Sequence, residues 1–220
     1  MLRFTIFILY ACFIWTDTIA QSVWELVIAD NDIEVYTRNN SDSNIKEVKI
    51  HARIESSMNE LVSALEDVSA HAEWVPFTLE SKILKKISES DLYYYVSSDF
   101  PFPAKDRDVV IHYLREQDEQ SGIVTTNSTA VPELIAPLED FIRVPLFNSQ
   151  YILQPYTDGV IEVLYTVQTN PGGNLPVWIV NFGITRGPIK TMNALKHLIA
   201  SGKYADTYAV GIKEYSDRTY

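Results

Sequence analysis

Two stretches near the start of the chain alternate apolar and polar residues with a period of two, Asp32 to Arg38 and Ile45 to Ile54. Both are rich in Val and Ile, and the polar run from Asn39 to Asn44 separates them. That pattern predicts two strands joined by a turn. The period then changes. Leu61, Ala64, Leu65, Val68 and Ala72 recur at helical spacing, preceded by Ser57 and by Glu60 three residues after it. Ser57 is the expected N-cap of a helix, with Glu60 completing a capping box. Pro76 disfavours helix in the residue before it, so the helix is expected to end near Trp74.

Alternation then returns. Strands are expected at Ser81 to Ile87 and Leu92 to Ser98, around the polar turn 88–91, and at Val109 to Arg115 and Gly122 to Thr129. Phe141 to Val144 and Gln150 to Gln154 continue the series, and the turn 156–159 leads into a long strand from Val160 to Thr169. In that strand Ile161, Val163, Tyr165 and Val167 share one face. From Leu175 to about Gly202 the pattern is helical, with Ile189, Met192, Leu195 and Leu198 or Ile199 as the inner stripe. Pro188 should kink or break this helix, because it lacks an N–H and its ring crowds the preceding turn. Strands, one helix, a run of strands and a closing helix define an α+β domain with an antiparallel sheet. A sheet curved around one long helix can enclose a space, which side chains either fill or leave open.

The first twenty residues follow a different logic. Arg3 precedes an apolar run from Phe4 to Trp15, and Thr18-Ile19-Ala20 supplies small residues at a cleavage site. This predicts a signal peptide over 1–20, a single domain over 21–220, and export to a periplasm or the cell exterior. The apolar run is too short to cross a bilayer, which needs about 20 residues. The alternatives are an uncleaved anchor and a lipid attached at Cys12, since Leu9-Tyr10-Ala11-Cys12 loosely resembles a lipobox. Cys12 is the only cysteine, so the chain after Ala20 has no disulfide and no thiolate metal site.

Composition changes the picture in two ways. Apolar residues make up 46% of the chain, enough for a core. The net charge of −11 leaves no basic footprint for a phosphate backbone, so no nucleic-acid partner is expected.

Five segments, in order, resemble the START (StAR-related lipid transfer) family. Trp24-Glu25-Leu26 with Val35-Tyr36-Thr37-Arg38 is similar to its opening, and Trp74-Val75-Pro76 to the end of its first long helix. Phe100-Pro101-Phe102-Pro103 leading into Asp106-Arg107-Asp108-Val109 resembles the turn before a central strand. Phe141-Ile142-Arg143-Val144 resembles the strand after its large loop, and the run from Asn170 to Asn181 the approach to its C-terminal helix. Asn170 departs from the Asp more usual there. The resemblance covers about Val23 to Gly202. It implies a helix-grip fold, a curved antiparallel sheet around the C-terminal helix, with an internal cavity for one lipid or other hydrophobic ligand.

On that reading the candidate cavity wall is Trp74, Tyr94, Phe100, Tyr151 and Tyr165, with Phe182, Met192 and Leu195 from the last helix; core packing is the plainer role for each. Arg143 either meets a lipid head group or pairs with a structural carboxylate, since a buried Arg needs an anion. Arg107, between Asp106 and Asp108, is expected in a structural salt bridge. The loop 131–138 is the candidate gate, with Leu134, Ile135 and Leu138 closing over ligand, touching a membrane transiently, or packing on the sheet.

Catalytic signatures are missing from the sequence. His51, His71, His112 and His197 have no metal-pair spacing, and no metal or cofactor is expected. There is no G-x-S-x-G elbow, P-loop or G-x-G-x-x-G. A non-enzymatic carrier is therefore the expectation. An enzyme acting on a hydrophobic substrate in the same cavity, and an interaction module with a collapsed cavity, are the alternatives.

Overall fold

The computed structural model describes residues 23–30, 32–41, 43–157 and 159–215. The expected export segment, Cys12 included, lies outside them. Among the described residues no helix is long and apolar enough to cross a membrane. Ten strands appear in chain order: β1 (Glu25–Asp30), β2 (Ile33–Asn40), β3 (Ser43–Glu55), β4 (Thr78–Ser88), β5 (Asp91–Ser98), β6 (Asp106–Gln117), β7 (Val124–Ala130), β8 (Phe141–Arg143), β9 (Leu146–Thr157) and β10 (Val160–Asn170). The helices are α1 (Met58–Glu66), α2 (His71–Trp74) and α3 (Val177–Ala200). The strands form one sheet in the order β1-β2-β3-β10-β9-β7-β6-β5-β4, antiparallel throughout, with the short β8 pairing parallel to the start of β6. This is the expected helix-grip arrangement.

Alternation fixes which face each strand buries. In β3 it is Val48, Ile50, Ala52 and Ile54, all nearly inaccessible, and in β10 Ile161, Val163 and Val167. These residues meet α1 and the second half of α3, whose Met192, Leu195 and Ile199 complete the main core. Met192 and Leu195 thus sit between helix and sheet rather than on a cavity wall; burying each is worth about 1.5–3 kcal/mol. Strand β1 carries no alternation signal, because both of its faces are largely exposed.

The first helix is shorter than its periodicity suggests. Ser57 caps it, its Oγ accepting the Glu60 N–H at 3.1 Å, but the Glu60 carboxylate turns to the Ser56 hydroxyl instead of closing the box. The helix stops at Glu66. Asp67 leaves the helical path and its carboxylate accepts from the hydroxyls of Ser69 (2.6 Å) and Tyr204 (2.9 Å), the competition that makes short polar side chains poor interior residues. A 3-10 turn, Val68–Ala70, then leads into the single turn of α2.

Candidate functional site

The main core does not extend under the whole sheet. Helix α3 lies over β2 and β3. Beyond it, Leu92, Tyr94, Ile111 and Tyr113 on β5 and β6, with Val68 from the 3-10 turn, form a second, smaller apolar cluster. Between the two clusters lies a cavity of about 280 Å³. Its floor is the inner face of β5, β6, β7, β9 and β10; its roof is the end of α1, α2, the turn 75–78 and, from α3, Thr191.

Four of the predicted wall residues line it: Trp74, Tyr94, Tyr151 and Tyr165. Tyr151 and Tyr165 face each other from β9 and β10, ring centroids 4.3 Å apart. Protein surrounds them, and the accessible surface they keep faces the cavity. Burial pushes the Tyr94 hydroxyl up to about 12, eased by Ser128, and raises those of Tyr151 and Tyr165.

The other predicted wall residues lie elsewhere. Phe100 stacks on the guanidinium of Arg107 at 4.3 Å. Phe182 is 59% exposed on the outer side of α3, with Arg186 over its ring at 4.8 Å. Arg143 makes a two-pronged ion pair with Asp108, at 3.0 and 2.9 Å, and donates to the carbonyls of Pro132, Ile135 and Ala136. Strand β6 turns Val109, Ile111 and Tyr113 to the cavity, so Asp108 and its partner lie on the opposite face. Arg143 therefore holds a structural carboxylate, not a head group.

The same bonds pin the loop 131–138 to that far face. None of its residues lines the cavity, and Leu134 and Leu138 point to solvent while Ile135 is half-buried. Arg107 was expected to pair with a neighbouring aspartate. Instead its guanidinium donates to the carbonyls of Lys105, Pro171 (3.4 Å) and Gly172 (3.3 Å). Asp106 accepts the Phe100 N–H at 2.9 Å. Gly173 (φ 69°) comes so close that a Cβ there would lie 3.3 Å from Arg107 Nη2 and 3.0 Å from Ile142. The charged triplet thus ties the β5–β6 loop to the turn before α3.

Several lining residues carry chemistry that periodicity passed over. Arg115 Nε lies 2.8 Å from Glu66 Oε1, out of line for a hydrogen bond, and Tyr113 donates its hydroxyl to the same oxygen at 3.0 Å. Burial pushes the Glu66 carboxyl up, and Arg115 and Tyr113 pull it back. His71 is half-buried between the rings of Trp74 and Tyr94, and desolvation lowers its pKa. Thr126, Ser128 and Ser149 add hydroxyls to the floor. The signal for Tyr113 was available, since it shares the face of Ile111 on β6. Among the described residues no cluster of acids, histidines or cysteines could hold a metal ion.

A curved sheet gripping one long helix, with a partly open and mostly apolar cavity beside that helix, defines a domain suited to a small hydrophobic molecule. The START domain family model matches residues 16–204, and the chain belongs to that family. It is 32% identical over 173 residues to an uncharacterized protein of Pseudomonas aeruginosa, covering 79% of this chain and 85% of that one. It is 23% identical over 185 residues to the phosphatidylcholine transfer protein of Bos taurus, covering 81% and 83%. The crystal structure of a STAR-related lipid transfer protein from Xanthomonas axonopodis superposes with a TM-score of 0.75 at 29% identity, covering 80% of this chain and 98% of that one.

Proposed function

We propose that this protein is a carrier that encloses one lipid or similar hydrophobic molecule and leaves it chemically unchanged. The observation that carries this reading is the cavity itself, walled by aromatic and aliphatic side chains between two apolar clusters. A buried methylene is worth about 0.8 kcal/mol, so only a closed apolar space can compete with a bilayer for an alkyl chain. The bacterial likeness and the bovine transfer protein support the same reading.

The fold also hosts enzymes, so the wall must decide. Nucleophilic catalysis needs a base within hydrogen-bond reach of the nucleophile. Here Glu66 is already engaged by Arg115 and Tyr113, and among the described residues no side-chain hydroxyl is found hydrogen-bonded to His71. The ligand passes between the turn 75–78 and α3, which meet at the cavity roof through Thr191. Phe77 in that turn holds a left-handed backbone (φ 66°), a conformation that costs a bulky residue about 1–3 kcal/mol. Contact with a membrane is transient and made by α3. Residues 1–20 direct the chain out of the cytoplasm, which N-terminal sequencing of the exported protein would check.

Native mass spectrometry of the chain after incubation with mixed natural-lipid vesicles tests the carrier reading. One bound lipid per chain is expected, lost in Tyr165→Asp, which puts a charge into the wall. A folded wild-type protein that takes up nothing would remove the carrier reading.

A further inference from the structure

Beyond α3 the chain runs on from Gly202 to Tyr215 with neither strand nor helix. The family match stops at residue 204. Tyr204 and Ala209 are buried in the main core, but Tyr208 and Val210 are 85% and 64% exposed. The run crosses two parts of the molecule. At the start of α1 the Glu214 carboxylate accepts the N–H groups of Met58 (3.1 Å) and Asn59 (2.6 Å), and Asn59 Oδ1 accepts the Ala209 N–H at 2.9 Å. At the end of β6 the Val210 carbonyl accepts from Arg115 at 2.8 Å, and Gln117 exchanges two bonds with the backbone of Lys213. Just past β6 the Tyr215 hydroxyl donates to the Glu119 carbonyl at 2.7 Å.

This segment is held differently from the elements it touches. Between residues 208–215 and the rest of the chain, every hydrogen bond found among the described residues uses a side chain on one partner. Each such bond contributes little net, and the Lys213–Glu119 ion pair is exposed on both sides. A segment tied in this way detaches far more readily than the sheet beneath it unfolds.

Its position matters because of Arg115. Glu66 belongs to the cavity roof and Tyr113 to the floor, so the bond between them clasps the two together at that end. Arg115, also from the floor, lies against the same carboxylate oxygen. Its side chain is only 3% exposed, and the one hydrogen bond found for it among the described residues goes to Val210, in the segment. Lifting 208–215 removes that acceptor and puts water beside Arg115, where it competes for Glu66.

We infer that residues 208–215 are a detachable strap that backs the Glu66–Tyr113 clasp, and that the cavity exchanges its ligand faster when the strap is off. This rests on the carrier reading above and adds a control to it.

Two measurements on the full chain test it. Native-state hydrogen exchange without ligand reads the strap alone. The amides of Asn59, Ala209 and Lys213, which bond across the contact, should be protected at least about a hundredfold less than those of Ile50 and Ala52 in β3. Exchange of all five only on global unfolding overturns the strap. The second measurement locks it. A Cβ at Gly122 would lie 3.2 Å from that of Tyr215, near the span of a disulfide. Gly122→Cys with Tyr215→Cys, in a Cys12→Ser background, fixes the strap when oxidised and frees it when reduced. Both redox states share any strain at Gly122, so it cancels in the comparison. Release of pyrene-dodecane, a probe with no polar group, to acceptor vesicles should slow about tenfold on oxidation and recover on reduction. Glu214→Gln, which removes the carboxylate from the start of α1, should speed release of the same probe about threefold. Equal release from oxidised and reduced protein, or from Glu214→Gln and wild type, overturns the control while leaving a carrier. A wild-type chain that takes up neither this probe nor any lipid from natural-lipid vesicles overturns both.

Discussion

A histidine placed in the cavity roof makes the stability of this protein depend on pH in a definite direction. His71 has an ordinary value of 6.5, and burial lowers it in the folded state, against the pull of the Leu65 carbonyl and Asp67. The unfolded chain therefore takes up a proton at a pH where the folded protein still resists it. Stability contributed by neutral His71 is complete above about 6.5, falls as the pH drops below that, and stops falling once the lowered folded value is passed. Urea denaturation at a series of pH values should show this loss in the ligand-free protein. It should be smaller in His71→Gln, which keeps a donor for the Leu65 carbonyl and has no proton to gain. Parallel pH curves would mean that His71 is not desolvated. The charged triplet shows how little such outcomes depend on residue type alone. Asp106, Arg107 and Asp108 are adjacent, yet alternation along β6 sends Arg107 and Asp108 to opposite faces, so each finds a partner distant in sequence.

Among the elements, α3 is built from two unlike halves. Met192, Leu195 and Ile199 root its second half in the core. The first half contains Gly183, Gly187 and Pro188, each weakening a helix by about 1 kcal/mol for Gly and 3 for Pro relative to Ala. A Cβ at Gly183 or Gly187 would meet nothing within 4 Å. Packing therefore does not demand glycine there, and the helix is soft just ahead of Thr191, the residue it places in the cavity roof. Gly183→Ala should raise stability by about 0.4–1 kcal/mol in urea titration and slow ligand release in stopped-flow exchange. Faster or unchanged release in a stabilised variant would show that this half does not open. The softness was legible as Pro188 in the sequence; so were nine of the ten strands, by alternation where one face is buried, as in β3, and by the flanking turn where neither is, as in β4. β1 buries neither and gave no signal. The wall was half legible. Tyr165 followed from parity and Tyr94 and Tyr151 from the family resemblance, but Met192 and Phe182 depend on where α3 lies across the sheet, a long-range fact that helical spacing does not contain. Arg143 and the loop 131–138 were misplaced for the same reason: which face of β6 they cover is decided by Asp108.

Across the whole molecule, charge is distributed as unevenly as softness. The chain carries −11, yet residues 163–205 contain no Asp or Glu, and Arg186, Lys190, Lys196 and Lys203 all fall there. On the outer side of α3, Trp178, Phe182, Arg186 and Lys190 are exposed at four-residue intervals, a single stripe. Its lower end meets the turn beside the cavity, where the Lys190 ammonium lies 4.8 Å from the ring of the half-exposed Phe77. Aromatic rings flanked by cations suit the boundary between acyl chains and phosphates, where Trp anchors and long cationic side chains reach up to the head groups. The acidic remainder of the surface would be repelled by the same boundary, so the membrane contact proposed above would be made α3 first. Two consequences can be separated by measurement. Trp178→Ser with Phe182→Ser should slow transfer between vesicles about tenfold, the loss expected if exposed rings supply roughly 1.4 kcal/mol of contact, without changing the fraction of protein loaded at equilibrium. Transfer from vesicles containing phosphatidylserine should also fall as salt rises, because screening shortens to about 8 Å at physiological ionic strength, whereas transfer from neutral vesicles should not. Unaltered transfer in the double variant, with equal salt dependence for both kinds of vesicle, would place the membrane contact on some other face and leave the stripe on α3 without a role.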